Sequence, residues 1–368
     1  MSRIALIDYD ISVIGGVEKV TERLANNLSA KYSVFVISLN QENDVIPYKF
    51  NKGIKVFFTT NNKDKRLRKA IMKNFGRISK ILKVNKIDIA LCMGHYATFV
   101  TVFNKKYHKT KLIYCDHGAY INSIDDKIMC FIRKFNYQRT CHTVLLTKRN
   151  KDDYIKYINA KENKLSYIYN CIPKEDLKNY KSVKYNNSTH NIVTISRLSS
   201  EKGIDLLVEV AYELKKICKE SWEWHIYGDG SEKDDIIYKI NKHNLSSNII
   251  LKGADRNAKQ YLKNYSLYCL TSYHEGLPLV LLEAKVNKLP IVSFNVTTGP
   301  DEIVKNDVNG YLIDCYDVKA MANKIKYLLE HDDVRYDFSQ KTIIDIEKFN
   351  EKEIMNQWYK LIEKMKEK

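Results

Sequence analysis

The chain has 368 residues, 44% of them hydrophobic and 29% charged, with 61 Lys and Arg against 44 Asp and Glu for a formal net charge of +17. That length exceeds one compact core and suits two domains, and the apolar content excludes a disordered chain. No apolar run approaches the ~20 residues of a bilayer span, while the positive charge admits nucleic acid, anionic membrane or anionic small molecules without choosing among them.

The first segment, RIALIDYD (3–10), is a short apolar stretch interrupted by Asp8 and Asp10, and reads as a strand rather than a signal peptide. IGGVEKV (14–20) then sets Gly15 and Gly16 between that strand and an amphipathic helix. Glycines let a backbone approach a ligand closely and a helix N-terminus offers unpaired N–H groups, although a tight turn explains the pair equally well. Further strands are predicted at SVFVISL, IKVFFTT, IDIALCMG, KLIYCDHG, TVLLT and LSYIYN. None of the eight cysteines falls in a C-x-x-C pair, which predicts buried thiols in a reducing, cytosolic compartment rather than disulfides or zinc ligands.

Residues 63–86 predict one amphipathic helix, with Leu67, Ile71, Phe75, Ile78 and Leu82 on an apolar stripe. Its other side carries Lys65, Arg68, Lys69, Lys73, Arg77, Lys80 and Lys83, with Asp64 the single acid. This face is either solvated or turned toward anionic lipid headgroups. DKIMCFIRKFNYQR (126–139) repeats the theme more weakly. His117, in YCDHGAY, closes a strand, where an imidazole can hydrogen-bond a hydroxyl or assist proton transfer.

Residues 173–190 are polar and aperiodic and form the predicted linker between domains 1–172 and 191–345. The second half repeats the pattern with NIVTISRL, WHIYGDG, NIILKG, SLYCLTS, LPIVSF and GYLID. Near-continuous apolar strands separated by helices predict parallel sheets covered on both faces, hence two doubly wound α/β domains. In SRLSSEKG (196–203), Arg197 and Lys202 follow the first strand of the second domain, at the edge where open α/β sheets bind ligands. There they suit a diphosphate, as a fork and a point charge, or are two surface cations on a loop. Neither IGGVEKV nor YGDGSEKD (227–234) has the G-x-G-x-x-G spacing, which disfavours an NAD(P) oxidoreductase.

TSYHEGLPLVLLEAKVN (271–287) predicts a strand end and a helix with Pro278 as its first residue. The free N–H groups around Leu277 to Val280 form a second anion site. Glu275 precedes that site and Glu283 lies about a turn and a half inside the helix. One carboxylate on each side of a phosphate site could grip two sugars joined by a diphosphate, the outline of a nucleotide-sugar; complementing the helix dipole accounts for Glu275 alone. TTGPDEI (297–303) is another strand-to-helix loop, and 346–368 is helical by pattern.

Taken together, Gly15-Gly16-Val17-Glu18, His117-Gly118, Arg197 with Lys202-Gly203, Gly228-Asp229-Gly230, Glu275 with Glu283, and Thr298 to Ile303 resemble glycosyltransferase family 4, the retaining GT-B enzymes, over nearly the full length. The resemblance implies two Rossmann-like domains facing across a cleft, the first for the acceptor and the second for a nucleotide-sugar, with the last helix returning to the first domain. Carried over by position, Arg197 and Lys202 clamp the diphosphate, Glu283 holds the ribose and Glu275 the hexose. The backbone of Gly16 and of Gly276, Leu277 and Leu279 touches phosphate or sugar, with Gly15 and Gly228 beside them, and His117 contacts the hexose. The catalytic set is Glu275, His117, Arg197 and Lys202. GADR (253–256) lies where the family seats its base.

Fixed positive groups can stabilise a departing diphosphate, so no metal and no cofactor is expected. Asp8-Tyr9-Asp10 resembles the metal-binding Asp-x-Asp of the other glycosyltransferase fold but reads here as a loop. The expected activity is retaining transfer of a hexose or N-acetylhexosamine from a UDP-sugar to a lipid-linked saccharide in surface-polysaccharide assembly, at the cytoplasmic membrane face. Its rivals are a GT-B enzyme using GDP-mannose or making a soluble glucan or sucrose-type product, and a non-catalytic basic protein binding membrane or nucleic acid. The last lacks the aromatic-interleaved basic module that nucleic acid requires.

Overall fold

The computed structural model describes residues 1–60, 67–103, 108–255 and 257–367, with the side chains of 67–70 excepted. By its internal contacts the chain forms two compact units, Met1–Asn170 with Lys352–Lys368, and Cys171–Glu351. Among the described residues each unit holds one wholly parallel sheet.

The first sheet has the order β3-β2-β1-β4-β5-β6-β7, from β1 (Arg3–Asp8), β2 (Ser33–Ser38), β3 (Lys55–Phe58), β4 (Ile89–Met93), β5 (Lys111–Asp116), β6 (His142–Leu145) and β7 (Leu165–Tyr167). The second has the order β10-β9-β8-β11-β12-β13, from β8 (Asn191–Ile195), β9 (Glu223–Tyr227), β10 (Ile249–Gly253), β11 (Leu267–Leu270), β12 (Ile291–Phe294) and β13 (Gly310–Ile313). Every predicted strand is present. The central ones, such as β4 and β11, are buried along their whole length because helices cover both faces. In each sheet the order reverses beside the first strand, between β1 and β4 and between β8 and β11. The carboxyl ends of the strands at such a reversal are the position where open α/β sheets take ligands.

Four expectations need correction. Residues 63–86 do not form one helix: helices Leu67–Asn74 and Arg77–Val84 are separated at Gly76, whose φ of 76° breaks the spiral. The break turns Phe75 out of the apolar stripe to 57% exposure, while Ile78 and Leu82 stay buried. Residues 173–190 are not an open linker: they include helix Lys174–Asn179, and the segment is tied into the second unit by the buried Arg335, whose guanidinium donates to Asn187 O at 3.0 Å. Pro278 is the cap of helix Leu279–Val286 rather than its first residue, with an extended ψ of 106°. Lastly, Cys92, Cys115, Cys171 and Cys269 are buried as expected, but Cys141 and Cys315 are exposed.

Charge divides with the units. Residues 1–170 and 352–368 carry 36 Lys and Arg against 17 Asp and Glu, and residues 171–351 carry 25 against 27. The net +17 is therefore +19 on the first unit and −2 on the second.

Candidate active site

In the second unit, the loops after β8 and β11 interlock at the switch point. Gly203 has φ 59°, and a Cβ there would lie 2.1 Å from Thr271 O, so only glycine lets the first loop close on the end of β11. The Tyr273 amide donates to Glu201 O across the same seam at 3.0 Å. The contact carries Lys202 to Glu275, Nζ to Oε1 at 2.8 Å, with the lysine side chain 22% and the carboxylate 8% exposed. Thr298 Oγ1 donates to the main-chain Glu275 O at 2.7 Å, and Gly299 (φ 101°) presses against Gly276 and Pro278, so the loop after β12 braces the backbone of the turn that carries Glu275.

Glu283 lies on the fifth residue of helix Leu279–Val286. Burial raises the Tyr268 hydroxyl's pKa, its hydrogen bond with the Ile195 backbone lowers it, and the charges of Glu283 and Glu275 raise it further. That hydroxyl accepts from Ile195 N and donates to Ile195 O, each at 3.2 Å, at the end of β8. Gly276 and the half-buried Leu279 follow Glu275 around the turn, and Leu277 is buried beneath it. Arg197 stands apart from this pair: it is 67% exposed and its guanidinium meets Glu201 at 2.9 Å. Gly228 has a packing reason of its own, since a Cβ there would lie 1.8 Å from Ser196 O. It lets β9 pass close under the loop that carries Arg197. Of the 253–256 segment, Arg256 lies outside the described residues.

In the first unit, Gly15 caps helix Gly16–Leu28 and its amide donates to Tyr48 Oη at 3.0 Å. A Cβ at Gly16 would meet nothing within 4 Å, so the protein itself does not require glycine there. Asp10 is a loop fastener. Its carboxylate accepts from Ser12 N (2.9 Å), Ser12 Oγ (2.6 Å), Asn40 Nδ2 (2.9 Å) and Glu42 N (3.0 Å). Among the described residues no group of three His, Cys, Asp or Glu is placed to hold a metal ion.

His117 follows β5, and its Nε2 is buried with no hydrogen-bond partner among the described residues. Burial lowers its pKa to about 4, against the Asp116 carboxylate, which raises it, and His95 lowers it further. Burial does the same to His95, after β4 at the switch point, again to about 4. Both imidazoles are thus neutral at ordinary pH. Behind them lies a network that sequence reasoning missed. Arg133 donates to the buried Asp116 carboxylate at 3.0 Å, Tyr154 Oη to the same oxygen at 2.6 Å, and Asn136 Nδ2 to His95 O at 2.8 Å. Also missed were Thr271 and Ser272, whose buried hydroxyls at the end of β11 have no partner among the described residues. Buried polar atoms are rarely left so.

Of the basic candidates, Lys65 and the side chains of Arg68 and Lys69 lie outside the described residues. Lys73 and Lys80 are exposed, and Arg77 is tied back to Thr59 O at 2.7 Å.

The model described as Glycosyltransferase Family 4 matches residues 14–176, and that described as Glycosyl transferases group 1 matches 178–344. Between them they take in nearly the whole chain, which belongs to the family 4 glycosyltransferases and has the GT-B fold. It is a glycosyltransferase. The poly(ribitol-phosphate) alpha-N-acetylglucosaminyltransferase of Staphylococcus aureus (strain COL) is 30% identical over 77% of this chain, which spans only 57% of that relative's length. A Campylobacter jejuni relative is 25% identical over 96% of each chain; its name gives an alpha-1,4-N-acetyl-D-galactosaminyltransferase of a GalNAc disaccharide on diNAcBac-PP-undecaprenol. The solved S. aureus TarM mutant, in complex with Fondaparinux, alpha-GlcNAc-glycerol and UDP, superposes with a TM-score of 0.80 at 19% identity, over 98% of this chain and 99% of that one.

Proposed function

We propose that this enzyme transfers a hexose or N-acetylhexosamine from a UDP-sugar, with retained anomeric configuration and without a metal, to a hydroxyl of a lipid-linked saccharide at the cytoplasmic membrane face. The observation that carries the reading is the Lys202–Glu275 pair at the second sheet's switch point. It joins a cation suited to a diphosphate and a carboxylate suited to sugar hydroxyls at one spot. UDP is the nucleotide in the TarM complex. Both named relatives are alpha-transferases by name, and from a donor whose sugar is alpha-linked to its diphosphate an alpha product would mean retention. The polyprenol-linked acceptor in the Campylobacter relative's name supports the lipid-linked class.

Chemically, departure of the diphosphate builds negative charge that Lys202, Arg197 and the amides of the helix Leu279–Val286 N-terminus can stabilise without reorganisation. Glu283 takes the ribose hydroxyls, Glu275 the hexose, and the neutral His117 offers Nε2 to a hexose hydroxyl. The acceptor hydroxyl attacks from the leaving-group face, with the departing phosphate as its base. Calorimetry across UDP- and GDP-sugars, with product anomers read by NMR, tests the donor and the stereochemistry. Lys202→Ala is expected to lower kcat about a hundredfold with little change in the acceptor KM, and Arg197→Ala to act in the same direction. Near-wild-type turnover in both variants would remove the diphosphate clamp.

A further inference from the structure

Helix Lys127–Arg139 buries Ile132 and Tyr137 as a surface helix should, but it also turns polar residues inward and apolar ones outward. Arg133 and Asn136 point inward and are buried, while Ile128 is 72% and Phe131 59% exposed. The two exposed residues are three apart and so lie one above the other on a single face. The patch extends beyond this helix. Phe131 stacks on Phe135 with centroids 5.8 Å apart, and Phe135 on Phe103 at 5.6 Å, Phe103 closing the neighbouring helix His95–Val102 at 42% exposure. Exposed Lys127, Lys134 and Arg139 interleave with these side chains, and the Arg139 guanidinium lies 5.3 Å from the Phe135 ring centre. Two acids precede the helix, of which Asp126 is taken up in capping Ile128 N and Met129 N.

Charge complementarity chooses the occupant. A protein partner's interface core is depleted in lysine, whereas aromatic and branched side chains set among lysines suit the boundary between headgroups and acyl chains. The same unit carries a net charge of +19, the other unit being slightly acidic at −2. We propose that this face of helix Lys127–Arg139 seats the enzyme on an anionic phospholipid bilayer. Ile128, Phe131 and Phe103 enter the interface, and Lys127, Lys134 and Arg139 meet the phosphates. The membrane-side acceptor reading above gives this surface its use, and the proposal rests on it to that extent.

The test uses the full chain and sedimentation with vesicles of phosphatidylcholine, with or without phosphatidylglycerol. The wild type is expected to sediment with the anionic vesicles and to be released by salt. Ile128→Ser with Phe131→Ser should lower that partition at least about tenfold while the circular dichroism spectrum and melting temperature hold. Independently, the indole of Phe131→Trp should shift its emission to the blue on adding anionic vesicles only. The proposal is overturned if the wild type stays in the supernatant, if the double variant sediments undiminished, or if the indole is unmoved. It is equally overturned if light scattering finds a wild-type dimer that the double variant dissociates, which would give the face to a second copy of the chain. Calorimetry with UDP-sugars on the same samples separates the failures. Intact donor binding without vesicle binding sinks this surface alone, and absent donor binding sinks the enzymatic reading.

Discussion

A lysine and a carboxylate 2.8 Å apart hold each other in place, and that would govern what each can do toward the proposed diphosphate. On the proposed reading the incoming anion would compete for the Lys202 ammonium and free Glu275 to face sugar hydroxyls, so the pair would preset both groups at the cost of one exchange. The histidines of the first unit are preset differently, by desolvation. Because burial holds His95 and His117 near 4 in the folded chain, well below the usual 6.5, the unfolded chain binds more protons between those values. Stability should therefore be full above about pH 6.5 and fall as pH drops toward 4. Asp8 acts in the opposite direction: burial raises it to about 6, so its contribution is present below about 4 and is lost as pH rises to 6. Burial raises Asp153 as well, so the histidines' share is read as the difference in slope between the wild type and a variant lacking both imidazoles. Urea titrations from pH 7.5 to 4.5 should show the wild type losing more stability on acidification than His95→Asn with His117→Asn does. An unchanged slope in the double variant would show that the imidazoles are not held neutral.

Helix Lys127–Arg139 fastens both histidine loops from one side, Asn136 through His95 O and Arg133 through Asp116. Gly118 belongs to the same arrangement, because a Cβ there would lie 2.6 Å from the Arg133 guanidinium. Removing the guanidinium leaves a buried carboxylate held by neutral donors, among them Tyr154 and the Gly118 amide. Arg133→Met should therefore destabilise the protein by about 3 kcal/mol, and Asp116→Asn in the same chain should restore part of the loss. If Arg133→Met alone melts like the wild type, the pair does not hold the loop. Little of this network is legible in the sequence. Asp116, Arg133 and Tyr154 come from a strand and two helices, and no local spacing links them. The strands are legible because burial on both faces writes each as an apolar run, but which strands are neighbours is a tertiary fact. Lys202, Glu275 and Glu283 stand out because their segments break an apolar pattern at strand and helix ends. The basic helix misled because its stripe of Leu67, Ile71, Phe75, Ile78 and Leu82 keeps helical spacing through Gly76, where the backbone leaves the helix. A glycine inside a periodic segment was the available signal.

At the scale of the molecule, the chain does not stop where its second sheet is complete. Residues 352–368 belong to the first unit, so one contiguous segment fulfils a different role from the residues it follows. Its helix, Glu351–Glu367, buries Trp358, Leu361, Ile362 and Met365 at helical spacing. Its polar side is stitched down by Tyr32 Oη to Glu363 at 2.7 Å, Tyr359 Oη to Asn27 O at 3.2 Å, and Lys111 Nζ to Met365 O at 2.8 Å. A wholly buried isoleucine reduced to alanine loses its transfer energy and leaves a cavity, together about 2–4 kcal/mol. Set against the roughly 5–15 kcal/mol of an ordinary domain, Ile362→Ala should visibly lower the first unit's melting. The donor site as read here is built largely on the second unit, so stabilisation of that unit by a UDP-sugar should survive the substitution. Differential scanning calorimetry with and without UDP-sugar would resolve the two effects. Two transitions are expected, with the substitution moving one and the nucleotide the other. A single transition that shifts as a whole with both would mean the units unfold as one body, and the returning helix would then be part of a common core rather than a component of the first unit.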